Sequence, residues 1–469
     1  MMEIRSRDFK ERAVFSIHDA NLQQALDRAR DGFIGTRAAR AAELPEFEQL
    51  REEAKNLKDH ILGHLDHYLE KYEAAVLAAG GQVHWARDAA EARRIILDIC
   101  RRRKAKTVCK GKSMVSEEIG LNEALIDEGM EVTETDLGEY IIQLAKEPPS
   151  HIIAPAVHKT KKQITELFAR VHRRAPKDTV PDLVNEAREV LREKFFQADI
   201  GITGGNFLVA ESGSSVIITN EGNGDLTQTL GKVHIVTSSI EKVVPTFDDL
   251  SLLLRLLARS ATGQETESYT TISTGPRQPG DLDGPEEYHV VLVDNGRSKM
   301  LGGRFREMLR CIRCGACMNH CPVYGAVGGH AYGWVYPGPM GSVLTPLIKG
   351  LDNSYDLPNA CTLNGRCGAV CPVKIPLPDL LRDLRYQQHK AALSPVRQRW
   401  ALNAWRWVAT RPTLYHFGEQ LAARGLKLLS KKGRIQSLPL AGGWTDSRDL
   451  PAPSGKTFLE QWKNTRGPQ

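Results

Sequence analysis

No stretch of the chain approaches the roughly 18–20 consecutive apolar residues that a membrane-spanning helix needs. The opening residues, MMEIRSRDFKER, are charged with no apolar run behind them, which argues against a secretory leader. Low-complexity tracts and a dinucleotide-binding fingerprint are also missing, so flavin binding stays undecided. Aromatic residues make up only 6% of the chain. The cysteines number nine, an odd count that speaks against a disulfide framework. These absences point to a cytoplasmic protein whose thiols stay reduced and whose clustered cysteines bind metal.

The 469 residues exceed one ordinary core, and the composition, 41% hydrophobic and 26% charged, is that of a globular protein with two or three domains. The net charge of +6 is uneven. From Ala391 onward there are thirteen Lys/Arg against four Asp/Glu, so the preceding 390 residues carry about −3 together. This basic end contains Trp400, Trp405, Trp407, Trp444 and Trp462. Its aromatic spacing of three to five residues suits an amphipathic helix on a partner or a membrane surface better than stacking on nucleic acid.

Residues 1 to about 100 read as helix, with apolar residues at three- and four-residue intervals through FEQLREEAKNLKDHILGHLDHYLEKYEAAVLAAG and an end at Gly80-Gly81. An α/β alternation follows. Lys106–Cys109, Glu131–Thr135 and His151–Ala154 are expected strands, and Val115–Glu128, Thr160–Arg173 and Asp182–Gln197 expected helices. Further strands are expected at Ala198–Thr203, Phe207–Ala210, Ser215–Thr219, Val233–Thr237 and Tyr288–Val293, with a helix at Phe247–Ala258. Such alternation predicts a sheet with a substantial parallel component, covered by helices. Gly263–Gly284, rich in Thr, Gly, Pro and Asp, reads as a surface loop or hinge. From Arg304 the composition turns to Cys, Gly and Pro and marks a second domain.

Seven cysteines form two linked motifs. The first, Cys311-Ile-Arg-Cys314-Gly-Ala-Cys317-Met-Asn-His-Cys321-Pro322, is C-x2-C-x2-C-x3-C-P, a highly specific iron–sulfur pattern. Three thiolates at three-residue steps converge on one cubane. Gly315 lets the backbone wrap closely, and the fourth cysteine points to a second cluster. The second motif, Cys361-Thr-Leu-Asn364-Gly-Arg-Cys367-Gly-Ala-Val-Cys371-Pro372, repeats the first with Asn364 in place of a cysteine. Crossing the ligands gives one set of four, Cys311, Cys314, Cys317 and Cys371, for a [4Fe-4S] cluster. The other set, Cys321, Cys361 and Cys367, has three thiolates. That suits a [3Fe-4S] cluster, or a [4Fe-4S] cluster whose last iron takes another ligand; Asn364 offers a poor one. Zinc would leave the x3-C-P endings unexplained. A purely structural cluster is the blander alternative, and the presence of two clusters favours electron transfer. Cys100 and Cys109 read as core residues. His330 and Tyr332, between the motifs, are candidates to tune a cluster.

The C-x5-C-x3-C-P spacing of the second motif resembles the three-iron motif of the succinate dehydrogenase iron–sulfur subunit, which implies an α-helical ferredoxin domain. Cys321–Gly341 (CPVYGAVGGHAYGWVYPGPMG) and Cys371–Leu377 (CPVKIPL) resemble the lactate utilization protein B family. Ala198–Phe207 (ADIGITGGNF), Thr219–Leu226 (TNEGNGDL), Lys232–Ile235 and Ile240–Thr246 resemble that family's LUD domain. The resemblance covers nearly the whole chain and implies four regions. A helical region at 1–100 packs on an α/β LUD domain at 101–300, with a mixed sheet in a NagB/RpiA/CoA-transferase-like fold. An α-helical ferredoxin domain at 301–390 and the basic Trp-rich region at 391–469 follow. It further implies an electron-carrying subunit of a three-component L-lactate oxidation system yielding pyruvate. Its partners would be a cysteine-rich iron–sulfur subunit and a second LUD-domain protein, with a quinone or another acceptor and peripheral contact at the inner membrane face. Two alternatives remain open, a LUD domain that itself oxidises a hydroxy acid and an iron–sulfur redox sensor.

Gly111-Lys112-Ser113 lacks the earlier glycine of a nucleotide P-loop, since Lys106 stands there. The glycine-rich strand ends at Gly201, Gly204, Gly205 and Asn206, with Asn220, Glu221, Gly222, Asn223 and Gly224, offer a pocket for a small acid or a phosphate. Tight turns alone account for them equally well. Glu211, Glu221 and His234 are candidate polar liners.

Overall fold

The computed structural model describes residues 4–438, 445 and 448–466. They fall into two compact units, residues 1–388 and 389–469.

The first unit opens with helices α1 (Phe9–His18), α2 (Ala20–Ala42), α3 (Phe47–Gly63) and α4 (Leu65–Ala78). Asp19 starts α2 by accepting the N–H groups of Asn21 and Leu22. Along α3 the residues Phe47, Leu50, Ala54 and Ile61 recur at helical spacing and are buried.

A six-stranded, wholly parallel sheet follows in the order β1–β10–β7–β4–β2–β3. Its strands are β1 (Gln82–Ala86), β2 (Thr107–Lys110), β3 (Glu131–Glu134), β4 (Ile200–Gly204), β7 (Val233–Ser239) and β10 (Glu287–Val293). The central strands β4, β7 and β10 are covered on both faces, so they read as near-continuous buried runs. The helix Asn223–Leu230 lies directly against β4, where a Cβ on Gly201 would sit 1.8 Å from the Thr227 carbonyl oxygen. A smaller sheet pairs β8 (Val243–Val244), β5 (Phe207–Val209), β6 (Ser214–Thr219) and β9 (Tyr269–Ser273) in that order.

Four expectations from the sequence are corrected. The helical stretch expected to residue 100 ends at Ala78, and the five residues of β1 join the sheet edge before helix resumes at Ala89–Arg102. The expected helix Val115–Glu128 is two helices, Met114–Ile119 and Leu121–Asp127, divided by Gly120 at φ +65°. The expected surface loop Gly263–Gly284 carries β9, which pairs with β6. The expected strand at His151–Ala154 is a loop. Its apolar residues are explained by what they cover: a Cβ on Gly315 would meet His151 at 3.1 Å and Ile153 at 3.4 Å. This short apolar run serves a tertiary joint, not a ladder.

From Arg306 to Lys390 the described elements are all short helices, the longest Leu377–Lys390. One hydrophobic core runs through α3, α4, the sheet and these helices; Tyr72, Val236 and Leu253 belong to the same cluster as Met318, Val343 and Leu381.

The second unit contains helices Val396–Ala409, Pro412–Leu428 and Phe458–Arg466 and a two-stranded pairing of β11 (Arg434–Ile435) with β12 (Leu450–Pro451). The first two helices bury no side chain, and Trp400, Trp407, Phe417 and Leu421 stand exposed on them. Trp444 lies outside the described residues.

Candidate functional site

The two cysteine motifs fold into the same loop twice. In the first, Arg313 and Gly315 take left-handed backbone conformations (φ +60° and +77°), and the Arg313 N–H donates to Cys311 Sγ at 3.4 Å. In the second, Leu363 and Gly365 do the same (φ +57° and +81°), and the Leu363 N–H donates to Cys361 Sγ at 3.3 Å. The closing cysteines are held alike: Cys321 Sγ accepts from Tyr324 N–H (3.5 Å) and Cys371 Sγ from Ile375 N–H (3.4 Å). Backbone N–H groups aimed at sulfur favour the thiolate form that iron needs.

The thiols do not group by motif. Cys311, Cys314, Cys317 and Cys371 line one small cavity, together with Ile152, Ile312, Met340 and Val373. Cys321, Cys361 and Cys367 interact with one another, and burial followed by these two neighbours pushes Cys367 up to about 12. Burial first, and then neighbouring thiols, also pushes Cys314 up to about 12 and raises Cys317 well above the ordinary thiol value. Cys317 senses Cys367 as well, so the two groups are close enough to interact. Protons held this firmly leave when a metal takes their place.

Asn364 has no place among the thiols. It is exposed, and its Oδ1 accepts the N–H of Arg366 at 3.0 Å, an ordinary turn bond. Its counterpart in the first loop, Cys314, is buried.

Cations converge on the backbone of both loops. Arg51 donates to the carbonyls of Cys371 and Ala369, Arg37 to Val370, and Lys242 to Cys311. Behind them, fully buried Arg297 holds Glu118 with two bonds of 2.8 and 2.7 Å and lies 2.9 Å from Glu241. Buried positive charge of this kind offsets the negative charge of a thiolate-ligated cluster. The N–H···S bonds, the enclosed apolar wall and these cations fit iron–sulfur clusters. Burial, and then the neighbouring Cys321 thiol, raises the Tyr332 hydroxyl well above its ordinary value. His330 does not reach a thiol; it bonds the Pro148 carbonyl (2.8 Å) and packs on His158. Cys100 and Cys109 are buried core residues, and burial pushes both thiols up to about 12.

A second site lies at the carboxyl ends of the parallel strands. From β2 the chain winds outward to β3, whereas from β4 it winds the other way through β7 to β10. The crevice between β2 and β4 is therefore the topological switch point, where ligands of open α/β sheets bind. A cavity of about 440 Å³ opens there. Of the residues singled out in the sequence, Gly204, Gly205, Asn206, Asn220, Glu221, Asn223 and Gly224 line it. Gly222 does not, sitting instead as the residue before the helix Asn223–Leu230. Glu211 also stands elsewhere, accepting the N–H of Phe247 at 2.7 Å. His234 is sealed within the sheet, bonded to Thr203 Oγ1 at 2.7 Å.

The sequence reading missed Lys112, Ser113, Asp136, Thr237, Lys242 and Arg313, which line the same cavity from distant parts of the chain. Gly111-Lys112-Ser113, set aside as a P-loop, was the local signal for the β2 side. Lys112 bridges Asp136 (3.2 Å) and the Ile153 carbonyl (3.0 Å). Burial, then Asp136, raises the carboxyl of Glu221.

Comparison with known proteins agrees with this division. A family model described as the LUD domain matches residues 69–293, one described as a 4Fe-4S dicluster domain matches 307–375, and one described as the C-terminal part of lactate utilisation protein B matches 385–467. A curated lactate utilization protein B from Bacillus licheniformis is 44% identical over 99% of this chain and 98% of its own. One from Lysinibacillus sphaericus is 43% identical over 99% of both. Among solved structures, the crystal structure of a DUF162 family protein from Deinococcus radiodurans is 14% identical, covering 49% of this chain and 98% of its own, with a TM-score of 0.29. Identity at this level over the full length, together with the doubled cysteine loop, makes the chain a member of the lactate utilization protein B family.

Proposed function

We propose that the protein is the iron–sulfur electron-transfer subunit of a system that oxidises L-lactate to pyruvate. The reading rests foremost on the seven thiols and their two unlike groups, and the names of the full-length relatives supply the lactate context. Cys311, Cys314, Cys317 and Cys371 would hold a [4Fe-4S] cluster, and Cys321, Cys361 and Cys367 a [3Fe-4S] or three-thiolate [4Fe-4S] cluster. Such clusters supply one-electron carriers. The chain's own part is to hold the thiolates with backbone N–H groups, balance their charge with Arg37, Arg51 and Lys242, and keep water from the first group with Ile152, Met340 and Val373.

The regions at 1–100, 101–300, 301–390 and 391–469 would act as helical support, LUD domain, α-helical ferredoxin domain and contact module, with β1 of the first region belonging to the LUD sheet. A NagB/RpiA/CoA-transferase-like ancestry accords with the parallel sheet and its crevice. The exposed Trp400, Trp407, Phe417 and Leu421 among basic residues suit contact with a cysteine-rich iron–sulfur subunit, a second LUD-domain subunit or the inner membrane face, on the way to a quinone or another acceptor. A strain deleted for this chain is expected to lose growth on L-lactate and keep growth on pyruvate. Unchanged growth on lactate would sink the assignment.

A further inference from the structure

We propose that the cavity at the β2/β4 crevice binds a small 2-hydroxy or 2-oxo carboxylate and that Arg313 couples its occupancy to the thiol group of Cys311, Cys314, Cys317 and Cys371. This rests on the electron-transfer reading above and names the ligand that regulates it.

The two cavities share a wall: Ile152 and Arg313 line both. The floor on the crevice side is bare backbone at Gly204-Gly205, flanked by the hydroxyls of Ser113 and Thr237. Lys112, Lys242 and Arg313 stand around it. Glu241 lies 2.9 Å from Arg297 and 3.6 Å from Arg313, with Lys242 beside it, and Arg297 is also held by Glu118. Two carboxylates thus face the guanidiniums of Arg297 and Arg313 and the amine of Lys242 at the wall nearest the thiols. Cations with neighbouring hydroxyls match a carboxylate whose adjacent carbon bears a second oxygen. The acids Asp136, Glu221 and Glu267 also line the cavity; Asp136 is paired with Lys112 at 3.2 Å, and burial raises Glu221 and Glu267 towards their neutral form.

Arg313 belongs to both sites. Its N–H donates to Cys311 Sγ, while its guanidinium lies over the Tyr336 ring at 4.6 Å and bonds Met340 Sδ at 3.1 Å. An anion against that guanidinium offsets the positive charge that otherwise stabilises electron density on the thiol side. Occupancy then makes reduction harder. By linkage, reduction weakens anion binding by the same factor. The oxidised protein would hold the acid and the reduced protein release it, which orders electron arrival and ligand departure.

The test uses the full chain, purified without air with its clusters intact. Calorimetry measures L-lactate, pyruvate and inorganic phosphate binding to the oxidised and dithionite-reduced protein, and EPR-monitored titration measures the first cluster's midpoint with and without pyruvate. Either acid is expected to bind the oxidised form at least about fivefold tighter than the reduced form, with a lower midpoint when pyruvate is bound. In Arg313→Gln the ratio should collapse towards one. Should that variant lose iron, Lys112→Ala carries the test, weakening both states about tenfold with the ratio kept. Equal affinity in the two states overturns the coupling. Absence of binding at millimolar acid, or phosphate binding as tightly, overturns the ligand class. Electron transfer intact without acid binding would fell this inference alone, whereas a pure chain that assembles no clusters would fell the electron-transfer reading.

Discussion

Replacing Asn364 by cysteine should convert the second thiol group from three ligands to four. Leu363 and Gly365 reproduce the backbone of Arg313 and Gly315 to within a few degrees of φ, so a thiol at 364 would leave the loop as the buried Cys314 thiol does. The cost is the Asn364 bond to the Arg366 N–H, an exposed turn bond worth about 1 kcal/mol, which a folded domain tolerates. Iron should rise from about seven to about eight atoms per chain, as a three-iron cluster becomes a cubane. EPR of the oxidised protein reads the change: the native chain gives a three-iron signal and Asn364→Cys loses it, while an ordinary oxidised cubane is silent. A native protein silent at full iron content would refute the three-iron assignment. A variant that keeps its signal unchanged would refute the equivalence of the two loops.

Other substitutions probe the packing and the ligand grouping. Cys371→Ser should remove the first cluster and spare the three-iron signal, although its cysteine lies in the second motif; Cys321→Ser should do the reverse, and EPR separates them. Arg297→Met leaves Glu118 and Glu241 buried without their partner and should cost about 3–5 kcal/mol in urea unfolding. Burial lowers His151 to about 4 and His234 to about 3, so below pH 6.5 the unfolded chain takes up protons that the folded one refuses. Stability should therefore fall from pH 6.5 towards pH 4, by about 1 kcal/mol per histidine between pH 6.5 and pH 5.5. His151→Gln should reduce that slope in urea titrations, and an unchanged slope would contradict it.

The doubled cysteine loop was legible because its geometry is local: three-residue steps and an x3-C-P ending dictate one loop. The parallel sheet was legible from its buried runs, YHVVLV above all. β1 escaped because QVHWA is short, half exposed and wedged between helices, and β9 because YTTIS is mostly polar on its open edge. The crevice was half legible. Glycine marked the ends of β4 and β6, yet Asp136, Thr237, Lys242 and Arg313 meet there only after the sheet has wound, and no spacing in the sequence announces it. The same holds for His151–Ala154, apolar because a cysteine loop rests on it.

The continuous core through sheet and cysteine loops also constrains inheritance. A recombination joint near residue 300 would strip Met308, Leu309 and Ile312 from the partners they share with α3, α4 and the sheet, exposing apolar surface on both pieces. Separating the cysteine loops from the crevice therefore means refitting that apolar seam.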